Sequence, residues 1–241
     1  MSDLKRAEPR GGAFTTALAG GVIGSLLTAA LLLFAAPNLV GGRIVRAGMM
    51  ADPQILPDTV DRLREAQYAP VLAQHRAALE APFASSWKGA AKPDVTLVEF
   101  FDYACPYCKA SNPFVDRLVA EDKGLRVVYR ELPILGPESV AAARLSLTAS
   151  RAGRFAAFHD ALWEAGKPGP QTNAAAAQAA GIGPAPANDA AVEGELKKNF
   201  DLAGQLGATG TPLFVVGDRV LNGAVGYDAL KSAIAAARKK A

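Results

Sequence analysis

The longest uninterrupted apolar run in the chain lies near its N-terminus, from Ala13 to Ala36, and contains no charged residue. In a helix with a rise of about 1.5 Å per residue, this run is long enough to cross a hydrocarbon core of about 30 Å. Lys5, Arg6 and Arg10 precede it. The positive-inside rule therefore predicts a cytoplasmic tail over residues 1–12, a membrane anchor over residues 13–36 and the remainder across the membrane.

A cleaved signal peptide is the alternative interpretation of this segment. The apolar run is longer than the usual h-region of about 7–15 residues. It also ends in Ala35-Ala36-Pro37, and a proline directly after the cut suits a signal peptidase poorly. Both interpretations take the folded part of the chain out of the cytoplasm.

Two segments with different patterns follow. Residues 37–50 contain Gly41, Gly42 and Gly48, which favours a flexible exit. Residues 51–86 predict a helical arm, because their apolar side chains fall on one stripe, and Pro70 is expected to break or kink it. Such a stripe must be buried, either on the chain's own domain or on another copy, so a homo-oligomer formed through this arm is one expectation.

The pattern changes again at Val95–Phe101, which is continuously apolar except for Glu99 and is typical of a buried central strand. A helical pattern opens at Cys105 and runs through Lys123. Leu125–Leu132 then predicts a second strand. The three elements form a βαβ unit at the start of a domain predicted over residues 87–241.

The second half of this domain predicts a helical insertion followed by a hairpin and a last helix. The Ala-rich insertion covers about residues 137–207. Pro212–Val216 and Arg219–Leu221 read as a β-hairpin, and Tyr227–Lys240 is amphipathic. The predicted fold class is therefore α/β, with the order βαβ, helical insertion, ββα.

The net charge and the cysteine content reduce the number of functions that the sequence supports. The net charge is +3, with Lys and Arg spread along the 241 residues, so a nucleic-acid partner has little support. The chain has two cysteines and two histidines, too dispersed to predict a four-ligand zinc site. We therefore predict no metal and no cofactor.

The two cysteines, Cys105 and Cys108, are three positions apart at the predicted start of a helix. There, unpaired backbone N–H groups and the helix dipole favour a thiolate, the form that attacks disulfides. Pro106 suits the first helical position, and Cys108 lies one turn later on the same face. We expect an exposed Cys105 sulfur to form a mixed disulfide that Cys108 resolves. An inert disulfide or half of a zinc site is the alternative.

Two further features carry open alternatives. Glu99 interrupts an apolar strand, and a buried carboxylate there could take the proton of Cys108; it could equally face solvent or pair with Arg126 or Arg130. Thr211-Pro212 precedes a strand. A cis peptide bond would bring the Thr211 backbone beside the cysteines, whereas an ordinary trans proline is the commoner local choice.

The run Val98–Cys108 (VEFFDYACPYC) resembles the DsbA-like branch of the thioredoxin superfamily, and Thr211–Phe214 (TPLF) looks like its cis-proline loop. The resemblance implies a thioredoxin-like fold with a helical insertion, preceded here by the membrane helix and the arm. It implies Cys105 as nucleophile, Cys108 as resolving cysteine, Glu99 as buried acid, and Pro212 as a cis proline with Thr211 beside the pair. The placement of the arm is similar to that of the oligomerising arms of ScsC-like and Com1-like relatives.

The resemblance also sets the expected function and location. The protein is expected to form or isomerise disulfides in secreted or envelope proteins, with cysteine-containing clients and a redox partner that resets the pair. It would be a single-pass bacterial inner-membrane protein with a periplasmic catalytic domain, or a soluble periplasmic one after cleavage. Tyr107 replaces a histidine common in strong oxidases of this group, which predicts a less oxidising pair.

Three other functions stay open at this stage. The pair could belong to a dedicated reductase for one client, or it could hold Cu(I) as a copper chaperone. The copper function has less support, because Met1, Met49 and Met50 lie far from the cysteines in sequence. A structural envelope protein that has lost activity is the third, although the intact cysteine pair argues against it.

Overall fold

The computed structural model of the chain describes residues 36–186 and 189–240. Residues 13–35 of the predicted membrane segment lie outside the described residues. Within the described part, no helix combines the length and the apolar character needed to span a bilayer. The chain divides into two compact units, residues 1–61 and 62–241, and the second contains both cysteines.

A helix, α1 (Ala36–Ala51), occupies the residues for which the sequence predicts a flexible exit. Three glycines lower its helix propensity by about 1 kcal/mol each relative to alanine, but they do not forbid the helical backbone. The one proline of this helix, Pro37, falls in the first turn, where a missing N–H costs nothing. The prediction of a flexible exit is therefore wrong for this segment.

The next helix, α2 (Ile55–Glu80), continues through Pro70 without the predicted break. Its second half packs on the sheet of the larger unit through Leu72 and Leu79, both completely buried. This packing offsets the hydrogen bond that proline removes. The larger unit thus begins at Arg62 rather than at residue 87, because the end of the predicted arm belongs to its core.

Five strands form one sheet in the order β1-β3-β2-β4-β5. Their bounds are β1 Trp87–Gly89, β2 Val95–Phe101, β3 Leu125–Glu131, β4 Leu213–Val216 and β5 Arg219–Asn222. Only β2 and β3 are parallel; the other neighbours are antiparallel. The short edge strand β1 is not predicted from the sequence, because three residues are too few to show an alternating pattern.

Six helices complete the larger unit: α3 Pro106–Glu121, α4 Pro137–Arg151, α5 Phe155–Ala165, α6 Pro170–Ala179, α7 Ala190–Gln205 and α8 Tyr227–Lys240. Helices α4 to α7 lie between β3 and β4, where the sequence predicts the insertion. The hairpin between β4 and β5 turns at Gly217, whose φ of +55° suits glycine. A Cβ at this position would also lie 2.8 Å from the Cβ of Ala237.

Alternate residues of β2 point to opposite faces of the sheet. On one face, Leu97 and Phe101 join a core that includes side chains of α3, α5 and α8. On the other face, Val98 and Phe100 join a core that includes side chains of α2 and α7. Glu99 shares its face with Leu97 and Phe101, and therefore with α3, the helix that begins after Cys105.

One buried arginine fastens the end of α2 to the sheet. Arg130 on β3 is almost fully buried, and its guanidinium donates hydrogen bonds to the carbonyls of Ala78, Leu79 and Ala81. The same group pairs with Glu195 of α7 at 2.8 Å. Arg130 thus caps the last turn of α2 and ties it to α7 across the second face of the sheet.

Candidate active site

The first cysteine stands at the N-terminus of α3, as the sequence predicts. Cys105 has an extended backbone, and its carbonyl accepts the first helical hydrogen bond, from the N–H of Lys109 at 3.1 Å. Pro106 is the first helical residue, and Tyr107 is 65% exposed. Cys105 itself is only 4% exposed, so the predicted exposed sulfur is wrong.

The Thr211–Pro212 loop covers that sulfur. The peptide bond between the two residues is cis. The Cys105 thiol donates a hydrogen bond to the Thr211 carbonyl at 3.2 Å. After Pro212 the chain enters β4, the strand antiparallel to β2. The fold therefore brings Thr211, 106 positions away in sequence, into contact with the first cysteine.

The second cysteine lies deeper. Cys108 is completely buried, and both cysteines are free thiols in this structure. Burial raises the pKa of the Cys108 thiol far above its ordinary value, and the negative charge of Glu99 raises it further. Hydrogen bonds at Asp102 and Thr211 act in the opposite direction. A thiol that holds its proton this firmly needs a nearby acceptor before it can attack a mixed disulfide.

Glu99 is the buried carboxyl group whose charge acts on Cys108. Its side chain is almost fully buried, and neither carboxylate oxygen has a hydrogen-bond partner in the described structure. Burial is the main cause that raises its pKa from 4.5 to about 8; Asp116 raises it further and Lys88 lowers it. The solvent-facing alternative is excluded. The predicted alternative of a pair with an arginine is also not seen. Arg126 donates to the carbonyl of Ala90, and Arg130 pairs with the carboxylate of Glu195.

Lys88 also influences the pKa of Glu99, and the sequence analysis does not identify it. From β1 its ammonium reaches Asp160 of α5 at 2.6 Å and Asp116 of α3 at 3.2 Å. Its positive charge lowers the pKa of Glu99, whereas the negative charge of Asp116 raises it. No signal in the local sequence marks Lys88, because its partners lie 28 and 72 positions away.

A buried chain of hydrogen bonds supports the turn before Cys105. The Tyr103 hydroxyl lies 3.1 Å from Nδ1 of His159 and 3.0 Å from the hydroxyl of Ser146. His159 also meets the indole N–H of Trp163 at 3.1 Å, and Ser146 donates to Glu131 at 2.7 Å. Helices α4 and α5 of the insertion thereby hold the active-site turn.

The direction of this chain follows from its first donor. The indole N–H of Trp163 can only donate, so Nε2 of His159 accepts and the neutral ring carries its hydrogen on Nδ1. Burial lowers the pKa of His159 well below its ordinary value, which agrees with a neutral ring. Tyr103 then accepts from His159 and donates to Ser146, and the chain ends on Glu131. Burial raises the pKa of Glu131 to about 7.

Asp102 is a second residue near the cysteines, besides Lys88, that the sequence analysis does not single out. Its carboxylate is buried and accepts the backbone N–H of Ala104 at 2.7 Å. The signal that could have found it is the spacing, since aspartate often binds the N–H two residues later in a turn.

This sheet order, a Cys-Pro-Tyr-Cys pair at a helix start and a cis proline against the first sulfur together define the thioredoxin-like class of thiol–disulfide proteins. Residues 96–235 match the DSBA-like thioredoxin domain family, and this range is more than half of the chain. The protein therefore belongs to the DsbA-like thioredoxin family, in its ScsC-like branch, and is a protein-disulfide oxidoreductase or isomerase.

Solved structures agree with this assignment. A thioredoxin-like oxidoreductase from Silicibacter pomeroyi DSS-3 is 38% identical, covers 68% of this chain and 96% of its own, and has a TM-score of 0.61. A periplasmic thioredoxin-like protein from Salmonella enterica serovar Typhimurium is 34% identical, with coverages of 68% and 95% and a TM-score of 0.63. A Proteus mirabilis ScsC variant is 28% identical, with coverages of 86% and 97% and a TM-score of 0.67.

The curated relatives include two sodium/proton antiporters, from Salinispora tropica and Salinispora arenicola. Each is 35% identical over 77 residues, which are 31% of this chain and 12% of the antiporter. The chain therefore spans about an eighth of the length of these relatives, and ion transport is not assigned to it.

Proposed function

We propose that the protein forms or isomerises disulfides in secreted or envelope proteins through a dithiol/disulfide cycle of Cys105 and Cys108. The observation that carries the proposal is the contact between the Cys105 sulfur and the Thr211 carbonyl at the N-terminus of α3. That carbonyl and the sulfur lie side by side. An extended client can therefore place its backbone along the Thr211 loop and its own sulfur on Cys105.

The cycle runs in either direction with the same atoms. In isomerisation, the Cys105 thiolate attacks a client disulfide, a Cys105–client bond forms and one client thiolate leaves. A different client thiolate then attacks the mixed disulfide, which forms the new client disulfide and releases the Cys105 thiolate. If none does so, Cys108 attacks the Cys105 sulfur and gives its proton to the Glu99 carboxylate; the client leaves reduced and the Cys105–Cys108 disulfide is formed. In oxidation, a client thiolate attacks the Cys105–Cys108 disulfide and a second client thiolate releases Cys105. A redox partner restores the disulfide form after oxidation.

We place this chemistry outside the cytoplasm. The support is the uncharged run from Ala13 to Ala36, which follows three basic residues, and the periplasmic location stated for the Salmonella protein. The preferred arrangement is a single-pass inner-membrane protein whose catalytic domain faces the periplasm. A signal peptide cleaved near the same point would give a soluble periplasmic form instead.

The test is to trap the intermediate. In a Cys108→Ala variant we expect a stable mixed disulfide between Cys105 and a client protein that was reduced and then reoxidised, so that it contains disulfides. The adduct should appear on a non-reducing gel and disappear with dithiothreitol. Without Cys108 nothing resolves the bond from within the protein. Cys105→Ser should trap nothing and should lower the rate of peptide oxidation by at least about 10³-fold. If Cys108→Ala captures no client, or Cys105→Ser keeps its rate, the proposed cycle is wrong.

We further propose that the protein is a homo-oligomer and that the N-terminal part of the predicted arm forms the contact. Ile55, Leu56 and Leu63 are exposed large apolar side chains on α2, ahead of the half that packs on the sheet. In sedimentation of the full chain in detergent, we expect several copies for the wild type and one for the double variant Ile55→Lys/Leu56→Lys. Phe200→Lys, an exposed apolar position on α7, is the control that should leave the mass unchanged. A monomeric wild type would contradict this proposal.

A further inference from the structure

Asp102 makes more backbone contacts than a turn residue needs. Besides the N–H of Ala104, its carboxylate accepts the N–H groups of Ile134 at 2.8 Å and Leu135 at 2.9 Å. Its own carbonyl accepts the N–H of Cys105 at 2.9 Å. The side chain is buried, so these N–H groups replace the water that would otherwise solvate its charge. One residue therefore joins the turn that carries the nucleophile to the loop after β3.

The N–H groups of Ile134 and Leu135 converge on one carboxylate oxygen, Oδ2. Successive N–H groups that point at one acceptor form an anion-binding concavity, and the anion bound here is a side chain of the protein itself. An asparagine at position 102 would have an NH₂ group in place of one carboxylate oxygen, and this group would face backbone N–H groups that need an acceptor. The geometry is therefore specific for a carboxylate.

The loop held in this way presents apolar side chains to solvent. Ile134 is 44% exposed and Leu135 is 52% exposed, although the backbone of both is fixed. Tyr107, on the first turn of α3, is also exposed. Helix α3 follows the end of β2 and the Ile134–Leu135 loop follows the end of β3, and these two strands are parallel, so both segments leave the same edge of the sheet. Exposed apolar side chains on a loop that Asp102 fixes to the turn of Cys105 indicate a surface that another molecule covers.

We propose that Asp102 is a positioning residue for disulfide exchange. Its carboxylate fixes the Ile134–Leu135 loop against the turn of Cys105 and so holds the surface on which a polypeptide client lies beside the sulfur. This inference rests on the proposed function. It assigns the effect of Asp102 to protein clients, because a small disulfide reaches the sulfur without covering the loop.

The experiment compares two oxidised substrates with the reduced protein: a peptide disulfide flanked by leucines, and oxidised glutathione. In each reaction the Cys105 thiolate displaces one substrate thiolate and forms a mixed disulfide. Asp102→Asn should lower kcat/KM for the peptide by about tenfold or more, with the rate for oxidised glutathione changed less than about twofold. The double variant Ile134→Ser/Leu135→Ser, which alters only exposed side chains, should show the same selective loss.

Ser150→Ala is the matched control for loss of a buried polar anchor. Ser150 lies at the opposite end of α4, where its hydroxyl donates to the Phe83 carbonyl at 2.6 Å. It should lower stability but keep the ratio of the two rates. Equal loss on both substrates in the Asp102 and loop variants, or the same selective loss in Ser150→Ala, would overturn the inference. A wild type that reacts with neither substrate would instead refute the proposed function.

Discussion

Replacing Glu99 by glutamine is expected to stabilise the protein by about 3 kcal/mol at pH 7 and to slow the resolution of mixed disulfides by about a hundredfold. Both effects have one cause, the burial of an acid that lacks a hydrogen-bond partner. Glutamine keeps the shape of the protonated acid and never ionises. It therefore removes the cost of keeping the buried acid protonated at pH 7, and it also removes the carboxylate, a minor fraction at that pH, that accepts the Cys108 proton.

The pH dependence fixes the sign of the stability effect. The pKa of Glu99 is about 8 in the folded protein and 4.5 in the unfolded chain. Between these pH values the folded state holds a proton that the unfolded state has lost, so wild-type stability falls as the pH rises through this range. One pKa unit corresponds to about 1.4 kcal/mol, which gives the figure at pH 7. Below pH 4.5 both states are protonated, and the advantage of glutamine should vanish.

Urea unfolding from pH 4 to pH 9 measures the first effect, and single-turnover decay of a trapped client adduct measures the second. Glu164→Gln, at an exposed position of α5, is the matched control and should change neither. A Glu99→Gln variant whose stability tracks the wild type at every pH would show that the acid is not buried in its neutral form. Unchanged resolution would remove Glu99 from the proton path.

Replacing Arg130 by methionine is expected to cost about 3–5 kcal/mol of stability. The substitution removes the Arg130 partner of the buried Glu195 carboxylate at 2.8 Å, which leaves it only the half-exposed Lys198 at 3.4 Å, and it removes the donors for the last carbonyls of α2. Domains of this size have a total stability of about 5–15 kcal/mol, so the loss is a large part of the whole. The end of α2 should detach from the second face of the sheet before the rest of the domain unfolds.

Urea unfolding and hydrogen exchange of α2 test this prediction. Arg144→Met breaks a comparable ion pair with Glu193 on the surface and should cost less than about 1 kcal/mol. Adding Glu195→Gln to Arg130→Met should recover part of the loss, because the buried carboxylate that has lost its closer partner is then no longer charged. Equal costs for Arg130→Met and Arg144→Met would show that the buried pair does not anchor α2.

The sequence by itself determined the elements whose cause is local. The apolar run of β2 followed by a helical pattern predicts the βαβ start. Proline after Cys105 marks the helix N-terminus, and Gly217-Asp218 marks the hairpin turn. These elements lie in the structure within a few residues of their predicted bounds. The positions of the two cysteines in the fold follow from the same local signals.

The tertiary structure alone decided which distant groups meet. It buried Glu99 rather than pairing it with Arg126 or Arg130, and it brought Lys88 to Asp116 from an edge strand too short to show a pattern. It turned the end of the arm into a core helix, and it closed Asp102 on the Ile134–Leu135 loop. Each of these contacts joins residues far apart in sequence, so its free energy depends on burial and geometry that exist only after the sheet has formed.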